Sequence, residues 1–320
     1  MRRRQFMNLL GGAAAWPLTA RAQSAKMPTI GILLTGNPDP EVFLKGFRDA
    51  LTEIGYIDGQ NVRLEVRSAE GNSALLPGKA AELVSLKVDV IVASLTPAIQ
   101  AAKQATSNIP IVMAPAGEPV ATGLVASLAR PGGNITGVSA ATAEIAGKSL
   151  ELIREVIPSA RRVAILANEA DPLAKPFIEQ IGMGARALGM EVDLVMVRPE
   201  SPLETAFASM NSKNVDAVIV QGSLQSKELF DRAIKHRLPS FSSNRQVVVS
   251  GGLMTYAASG AEVLRGAAGY VDRILKGARP ADLPVTQPTK FKLIINLNTA
   301  KALGLNVPVS LLSRADEVIE

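Results

Sequence analysis

Groups able to carry covalent or metal chemistry are scarce in this 320-residue chain. It has no cysteine. That removes disulfides, thiolate metal sites, cysteine nucleophiles and any lipid-bearing N-terminal cysteine together. The single histidine, His236, lies between Lys235 and Arg237 near a predicted helix end. A catalytic histidine needs a carboxylate to orient it and a nucleophile beside it, and its sequence neighbours supply neither. The position reads as a solvated last turn, where cations suit the helix dipole. With one histidine and no cysteine, a zinc site would rest almost wholly on carboxylates, so no metal is expected. There is no G-x-S-x-G elbow and no G-x-G-x-x-G after a strand, so no nucleotide cofactor is expected either. Gly147-Lys148-Ser149 has the ending of a phosphate loop, but Thr142 stands where the first glycine would be, and the segment reads as a helix start.

The chain does offer polar residues at the carboxyl ends of apolar runs. Ser94-Leu95-Thr96-Pro97 follows one such run, with Thr96 as a natural N-cap and Pro97 as a natural first helical residue. This turn either holds a carboxylate with hydroxyl and backbone donors or simply caps the helix. Thr35 and Gly36 follow another run, and Ala116 with Glu118 a third. Glu118 either receives an ammonium or sits at the next helix start. Further along, the equivalent positions are Asn168 to Asp171 and Gln221 to Ser223. In open α/β sheets ligands bind outside the carboxyl ends of strands, where helix N-termini present free N–H groups.

The elements that must position these residues alternate in period. Short β-rich runs at 29–34, 61–67, 89–93, 109–114 and 135–139 are separated by helical patterns at 41–54, 74–86 and 96–106. Gly55 closes the first helix. The scheme then restarts with strands at 162–168, 191–197 and 216–221 and helices at 172–188, 203–210 and 227–236. The restart carries an echo. Ile30-Gly-Ile-Leu-Leu resembles Val163-Ala-Ile-Leu-Ala, and 88–95 resembles 215–224, at offsets of 133 and 127 residues. One αβ unit used twice explains both. The fold class expected is therefore α/β, with two Rossmann-like lobes of parallel sheet joined by a hinge. Residues 28–140 plus about 253–280 are assigned to the first lobe, and 141–252 plus about 281–320 to the second. Polar loops facing each other from two lobes would form a cleft that closes by hinge motion.

The formal charge of +5 invites a nucleic-acid reading until its position is considered. Arg2-Arg3-Arg4 precede a modest apolar stretch that ends in Ala20-Arg21-Ala22, the order of a secretory signal cleaved after Ala22. Arg3-Arg4-Gln5-Phe6 resembles a twin-arginine export signal. Residues 1–22 hold four of the 34 basic residues and no acid, leaving 30 against 29. A near-neutral mature chain removes the main support for nucleic-acid binding. The expected product is a freely diffusing periplasmic monomer without a lipid anchor.

Several blocks resemble one family. They are 118–137 (EPVATGLVASLARPGGNITG), 55–61 (GYIDGQN), 237–239 (RLP), 251–256 (GGLMTY), 283–291 (LPVTQPTKF), 295–305 (INLNTAKALGL) and 314–320 (RADEVIE). The chain resembles the ABC-transporter substrate-binding family that includes the tryptophan/tyrosine-binding (TrpX-like) lipoproteins. The resemblance implies a type I periplasmic-binding-protein fold with three crossovers between lobes. It also implies delivery of a small solute to a membrane permease powered by a separate ATPase, without enzymatic activity. Members with amino-acid ligands are similar in using the Ser/Thr turn after the third strand for the ligand carboxylate, which corresponds to Ser94 and Thr96. Where the family usually has Gly-Asp-Pro-Val, this chain has Gly117-Glu118-Pro119-Val120, so the carboxylate is displaced by about a methylene. The mature chain lacks tryptophan, and Phe177, Phe241 and Tyr256 are its few aromatics near element ends. An aromatic ligand normally wants stacking partners, so tryptophan or tyrosine is not favoured over another small carboxylate-bearing solute, either an amino acid or an aromatic or aliphatic acid, as the expected ligand. The full set of expected ligand-site residues is Thr35, Gly36, Ser94, Leu95, Thr96, Ala116, Glu118, Ser139, Asn168, Asp171, Gln221, Ser223, Ser243, Gly252 and Tyr256. Two other roles suit the same scaffold: a ligand-sensing module for a membrane receptor, or an enzyme.

Overall fold

A computed structural model describes residues 27–35, 40–198 and 201–320, with side chains at all of these except 143 and 144. The export segment and Gly36 lie outside the described residues. Two sheets organise the chain. The first has strand order β2-β1-β3-β4-β5 and is parallel throughout, built from β1 (Thr29–Leu34), β2 (Arg63–Ser68), β3 (Val90–Ser94), β4 (Ile111–Ala116) and β5 (Ile135–Ser139). Such strands are covered on both faces, so they read as continuous apolar runs. Alternate residues accordingly face opposite ways. Ile30, Ile32, Val90 and Val92 pack against α1 (Pro40–Glu53) and α9 (Gly260–Leu275), whereas Leu33, Ile91 and Ala93 pack against α2 (Leu76–Ser85) and α3 (Thr96–Ala105).

The second sheet contains β6 (Arg162–Asn168), β7 (Glu191–Val197), β8 (Ala217–Val220), β9 (Ser240–Ser242), β10 (Met254–Ala258), β11 (Phe291–Asn296) and β12 (Glu317–Ile319). Its order is β12-β11-β10-β9-β8-β6-β7, parallel except where β10 meets β11. Positions β7-β6-β8-β9-β10 repeat the order of the first sheet, which matches the sequence echo between the two halves. One face packs on α4 (Thr142–Val156) and α5 (Ala174–Ala187). The other packs on α6 (Leu203–Ser212) and α7 (Lys227–Lys235). Gly147-Lys148-Ser149 lies inside α4, and Ser149 Oγ donates to the Ile145 carbonyl, so no phosphate loop is formed there.

The crossing points differ from the expected boundaries. Residues 254–258 hydrogen-bond into the second sheet, although the sequence reading grouped 253–280 with the first lobe. Helix α9 returns to the first sheet. Its Arg265 pairs with Glu53 of α1 at 2.7 Å, and its Asp272 accepts from Tyr56 Oη at 3.0 Å. Residues 280–286 also remain there, since Thr136 Oγ1 donates to the Leu283 carbonyl and Thr286 bridges Val138. The physical reason is that β10 pairs between β9 and β11, while α9 carries the apolar face that covers β3, β4 and β5. The chain thus passes between sheets near 140–141, 259 and 287–290. The latter two segments lie side by side, with Ser259 N–H donating to the Lys290 carbonyl at 2.9 Å. The Glu262 carboxylate accepts from Thr289 Oγ1 and the Lys290 N–H, tying them further.

His236 is not a solvated helix end. Its side chain is 12% exposed, its Nε2 lies 3.0 Å from Glu204 Oε1, and its ring stacks on Phe207. The carboxylate comes from a helix distant in sequence, so the local neighbours did not reveal it.

The Tyr56 hydroxyl gives a direct test of how α9 is held. Tyr56→Phe removes one hydrogen bond while Asp272 keeps Lys276 at 2.8 Å. A loss of about 1 kcal/mol in urea unfolding is expected, and an unchanged midpoint would mean that apolar packing alone seats this helix.

Candidate ligand-binding site

The carboxyl ends of the strands in both sheets face one another. From the first sheet come the turns after β3 and β4, and from the second those after β6 and β8. Two of their contacts, among the described residues, fall on glycines. The Leu95 side chain reaches the bare Cα of Gly222, whose ideal Cβ would lie 3.9 Å from Leu95 Cδ2. Leu173 reaches Gly117 more closely, since a Cβ at Gly117 would fall 2.3 Å from Leu173 Cδ2. A side chain at 117 therefore competes for space with a residue of the opposite lobe. The lobes meet in a closed arrangement.

The turn after β3 is strained. Leu95 has φ 68° and ψ 151°, a region that costs a leucine roughly 1–3 kcal/mol. Its N–H donates to the Pro115 carbonyl at 3.0 Å, and its carbonyl accepts from Ile99 at 3.2 Å, which fixes the conformation. The strain aims the Leu95 side chain across the cleft. Helix α3 then begins at Thr96, so Leu95 is the cap residue and Thr96 the first helical one. Thr96 is 1% exposed, and its Oγ1 lies 3.2 Å from the Gly117 N–H, from which it accepts. The hydroxyl expected to meet a ligand instead braces the turn after β4. Ser94 is partly buried at the last position of β3, at the carboxyl edge of the sheet.

The second lobe supplies a denser polar cluster. Asn168, Gln221 and Ser223 are buried at the ends of β6 and β8. Gln221 Oε1 accepts from the Asn168 N–H at 2.8 Å, and Asn168 Oδ1 accepts from the Ala170 N–H at 3.0 Å. Asp171 is 5% exposed, and its Oδ1 accepts from the Leu173 N–H at 2.9 Å. Burial pushes the Asp171 carboxyl above the ordinary carboxylate range, and hydrogen bonds from Ser223 and the Leu173 amide only partly oppose that. Among the described residues it forms no ion pair with any lysine, arginine or histidine. A buried carboxylate without a cation is costly, and a ligand ammonium would relieve that cost.

The other expected residues are scattered around this centre. Thr35 is buried at the end of β1, where its carbonyl accepts from Gly71 N–H at 2.7 Å. Ala116 accepts from Ala140 N–H at 2.7 Å, and Ser139 donates its N–H to Thr286 at 2.8 Å, so both serve the first crossing segment. Glu118, at φ 39°, starts a turn whose carbonyl accepts from Thr122. Ser243 is exposed, and its buried neighbour Ser242 is the residue joined to the cleft turn. Gly252 lies at the opposite, amino end of β10, packed on Val247. Tyr256 stacks on Phe291 at 5.4 Å and packs against the core of the second lobe. Gln225 and Leu173 were missed. Gln225 falls on the same polar run as Gln221 and Ser223, two residues beyond where that run was cut, whereas the role of Leu173 depends on a contact between lobes that no local pattern encodes.

Among the described residues no cluster of histidine, cysteine, aspartate and glutamate could hold a metal ion, and no helix is long and apolar enough to cross a membrane. The family model for ABC transporter substrate binding proteins matches residues 37–319. A tyrosine-binding protein of Clostridioides difficile is 30% identical over 290 residues, 89% of this chain and 83% of that protein. The ABC domain from Streptococcus pneumonia in complex with L-Trp superposes with a TM-score of 0.83 at 29% identity, covering 91% of this chain and 99% of that one. A ligand-free, open substrate-binding protein from Clostridium difficile, at 25% identity and covering 91% and 99%, gives 0.64. The lower score to an open form accords with the contacts made here by Leu95 and Leu173. Lower-identity matches, such as a periplasmic binding protein from Alkaliphilus metalliredigens at 14% identity and a TM-score of 0.55, share the fold. With the two-lobed periplasmic-binding-protein architecture, the cleft between strand ends and a family match across nearly all of the described chain, this protein belongs to the ABC transporter substrate-binding family.

Proposed function

We propose that this protein captures an α-amino acid between its lobes and presents it, closed, to an ABC permease driven by a separate ATPase. The observation that carries this reading is Asp171, a buried carboxylate at the cleft with no cationic partner among the described residues. The ligand ammonium would meet Asp171. The ligand carboxylate would meet the N-terminal turn of α3 beside Ser94, where backbone N–H groups and the helix dipole favour an anion. The amino-acid ligands named for the Clostridioides and Streptococcus relatives support the same class. The protein acts in the periplasm as a monomer, after export on its arginine-rich signal and cleavage behind Ala22, and it turns over no substrate.

Thermal unfolding against a panel of amino acids tests this. A ligand held only by the native state at about 100 times its Kd adds about 2.7 kcal/mol, and a Tm rise of several degrees is expected with at least one α-amino acid. The same molecule lacking its amino group should give a much smaller rise. Equal shifts from the amino acid and its des-amino acid would show that no ammonium site exists.

A further inference from the structure

Four buried side-chain atoms among the described residues have no hydrogen-bond partner, and two of them belong to the short turn 221–225 at the cleft: Gln221 Nε2 and Gln225 Oε1. Both residues are at most 1% exposed. Unpaired buried amide groups are uncommon because each forfeits its bonds to water. Swapping the amide oxygen and nitrogen does not rescue either one. Gln221 already uses its oxygen on the Asn168 backbone N–H, which can only donate. Gln225 gives its nitrogen to Ser242 Oγ, which donates its own proton to the Val220 carbonyl at 3.0 Å, and a swapped amide would take that proton away from Val220 while leaving its own nitrogen unpaired. The Asn168 amide fixes Gln221 and the Ser242–Val220 bond favours the present Gln225 orientation, leaving one N–H donor and one carbonyl acceptor.

The two amides flank Gly222. An ideal Cβ there would meet Gln225 Nε2 at 3.8 Å and Leu95 Cδ2, from the other lobe, at 3.9 Å. The turn therefore fronts the junction between lobes. Asp171 and Ser223 lie beside it, joined to Asn168 by the Ser223 hydroxyl.

Resting on the amino-acid reading above, we infer that Gln221 and Gln225 set the selectivity for the ligand side chain. They demand a neutral group that both accepts and donates a hydrogen bond, namely a hydroxyl or a carboxamide. A carboxylate would leave Gln225 Oε1 facing an acceptor, and an ammonium would leave Gln221 Nε2 facing a donor. A purely apolar side chain would leave both amides unpaired, and such sites reject analogues lacking the polar group strongly.

Calorimetric titration with matched pairs tests the inference: L-tyrosine against L-phenylalanine for the hydroxyl, and L-glutamine against L-methionine for the carboxamide. Wild type should bind the polar member of at least one pair at least tenfold more tightly. Gln225→Leu and Gln221→Leu, measured separately, should each reduce that ratio to within about threefold of one, while binding of the apolar member is retained or improved. Retained binding of the apolar member also shows that the variant has folded. A wild type that binds amino acids but does not discriminate within either pair overturns the inference alone. So does a variant that weakens both members equally, or one that leaves the ratio intact, since the amides then hold water or the turn itself. Failure of every amino acid to bind wild type overturns the ammonium reading and this inference with it.

Discussion

Asp171→Asn is expected to weaken amino-acid binding by about 3 kcal/mol, close to a hundredfold in Kd, with binding of des-amino analogues unchanged or slightly tighter. The amide keeps the shape and one acceptor, so the Leu173 N–H at 2.9 Å stays paired, and only the negative charge is lost. The sign of the pH dependence follows from the same group. Burial holds the Asp171 carboxyl above the ordinary carboxylate range, so the closed cleft favours its neutral form. The closed, unliganded form therefore loses stability as pH rises from the ordinary carboxylate value through the raised one. A ligand ammonium needs the ionised form, so amino-acid affinity should increase with pH across that same window, while Asp171→Asn should show no such slope. Calorimetric titration across mildly acidic to neutral pH checks both. A wild-type affinity that falls with rising pH, or a variant that binds amino acids normally, would place the ammonium elsewhere.

Gly117→Val should hinder closure without unfolding either lobe. At 117 even a Cβ would lie 2.3 Å from one Leu173 methyl and 2.8 Å from the other, about 1 Å inside ordinary contact. Leu173 is a side-chain end and could swing, which is why valine, with two further methyls, is the sharper probe than alanine. The clash exists only when the lobes meet, so its cost falls on the closed state. A loss of about 2 kcal/mol in ligand affinity is expected, of the size of overpacking penalties. The unliganded melting temperature should be nearly unchanged, and the radius of gyration with ligand should stay near the unliganded value. Adding Leu173→Ala should recover much of the affinity, a coupling that a double-mutant cycle reads directly. Additive losses would mean that the two residues do not oppose each other across the cleft.

Much of this fold was legible because its signals are local. Buried parallel strands such as Val90–Ser94 read as apolar runs, helices such as α1 repeat Leu44, Phe47 and Leu51 at helical spacing, and the 30/163 echo anticipates two sheets with the same strand order. The chain crossings were less legible. Nothing in 254–258 or 280–286 says which sheet each joins, because either segment has apolar residues that could pair in both. The site divides in the same way. Asn168, Asp171, Gln221 and Ser223 follow from the rule that ligands meet carboxyl ends of strands, and the structure brings them together. Thr96 was read as the N-cap, but it is the first helical residue and its hydroxyl is spent on Gly117, a partner 21 residues away. Gly252 was misjudged because a glycine pair beside a strand looks the same at either end of it.

The return of α9 to the first sheet sets the order in which the protein can mature. One face of that sheet is covered by Val263, Ala267, Tyr270 and Val271, residues made near the end of synthesis. The second sheet, in turn, waits for β11 and β12. Neither sheet completes its core from a continuous stretch of chain, so each waits for a segment made long after its first strands. Contacts of such long sequence separation slow folding. A nascent chain of this kind keeps apolar sheet faces open to chaperones until these late segments are made, and the cleft does not exist before then.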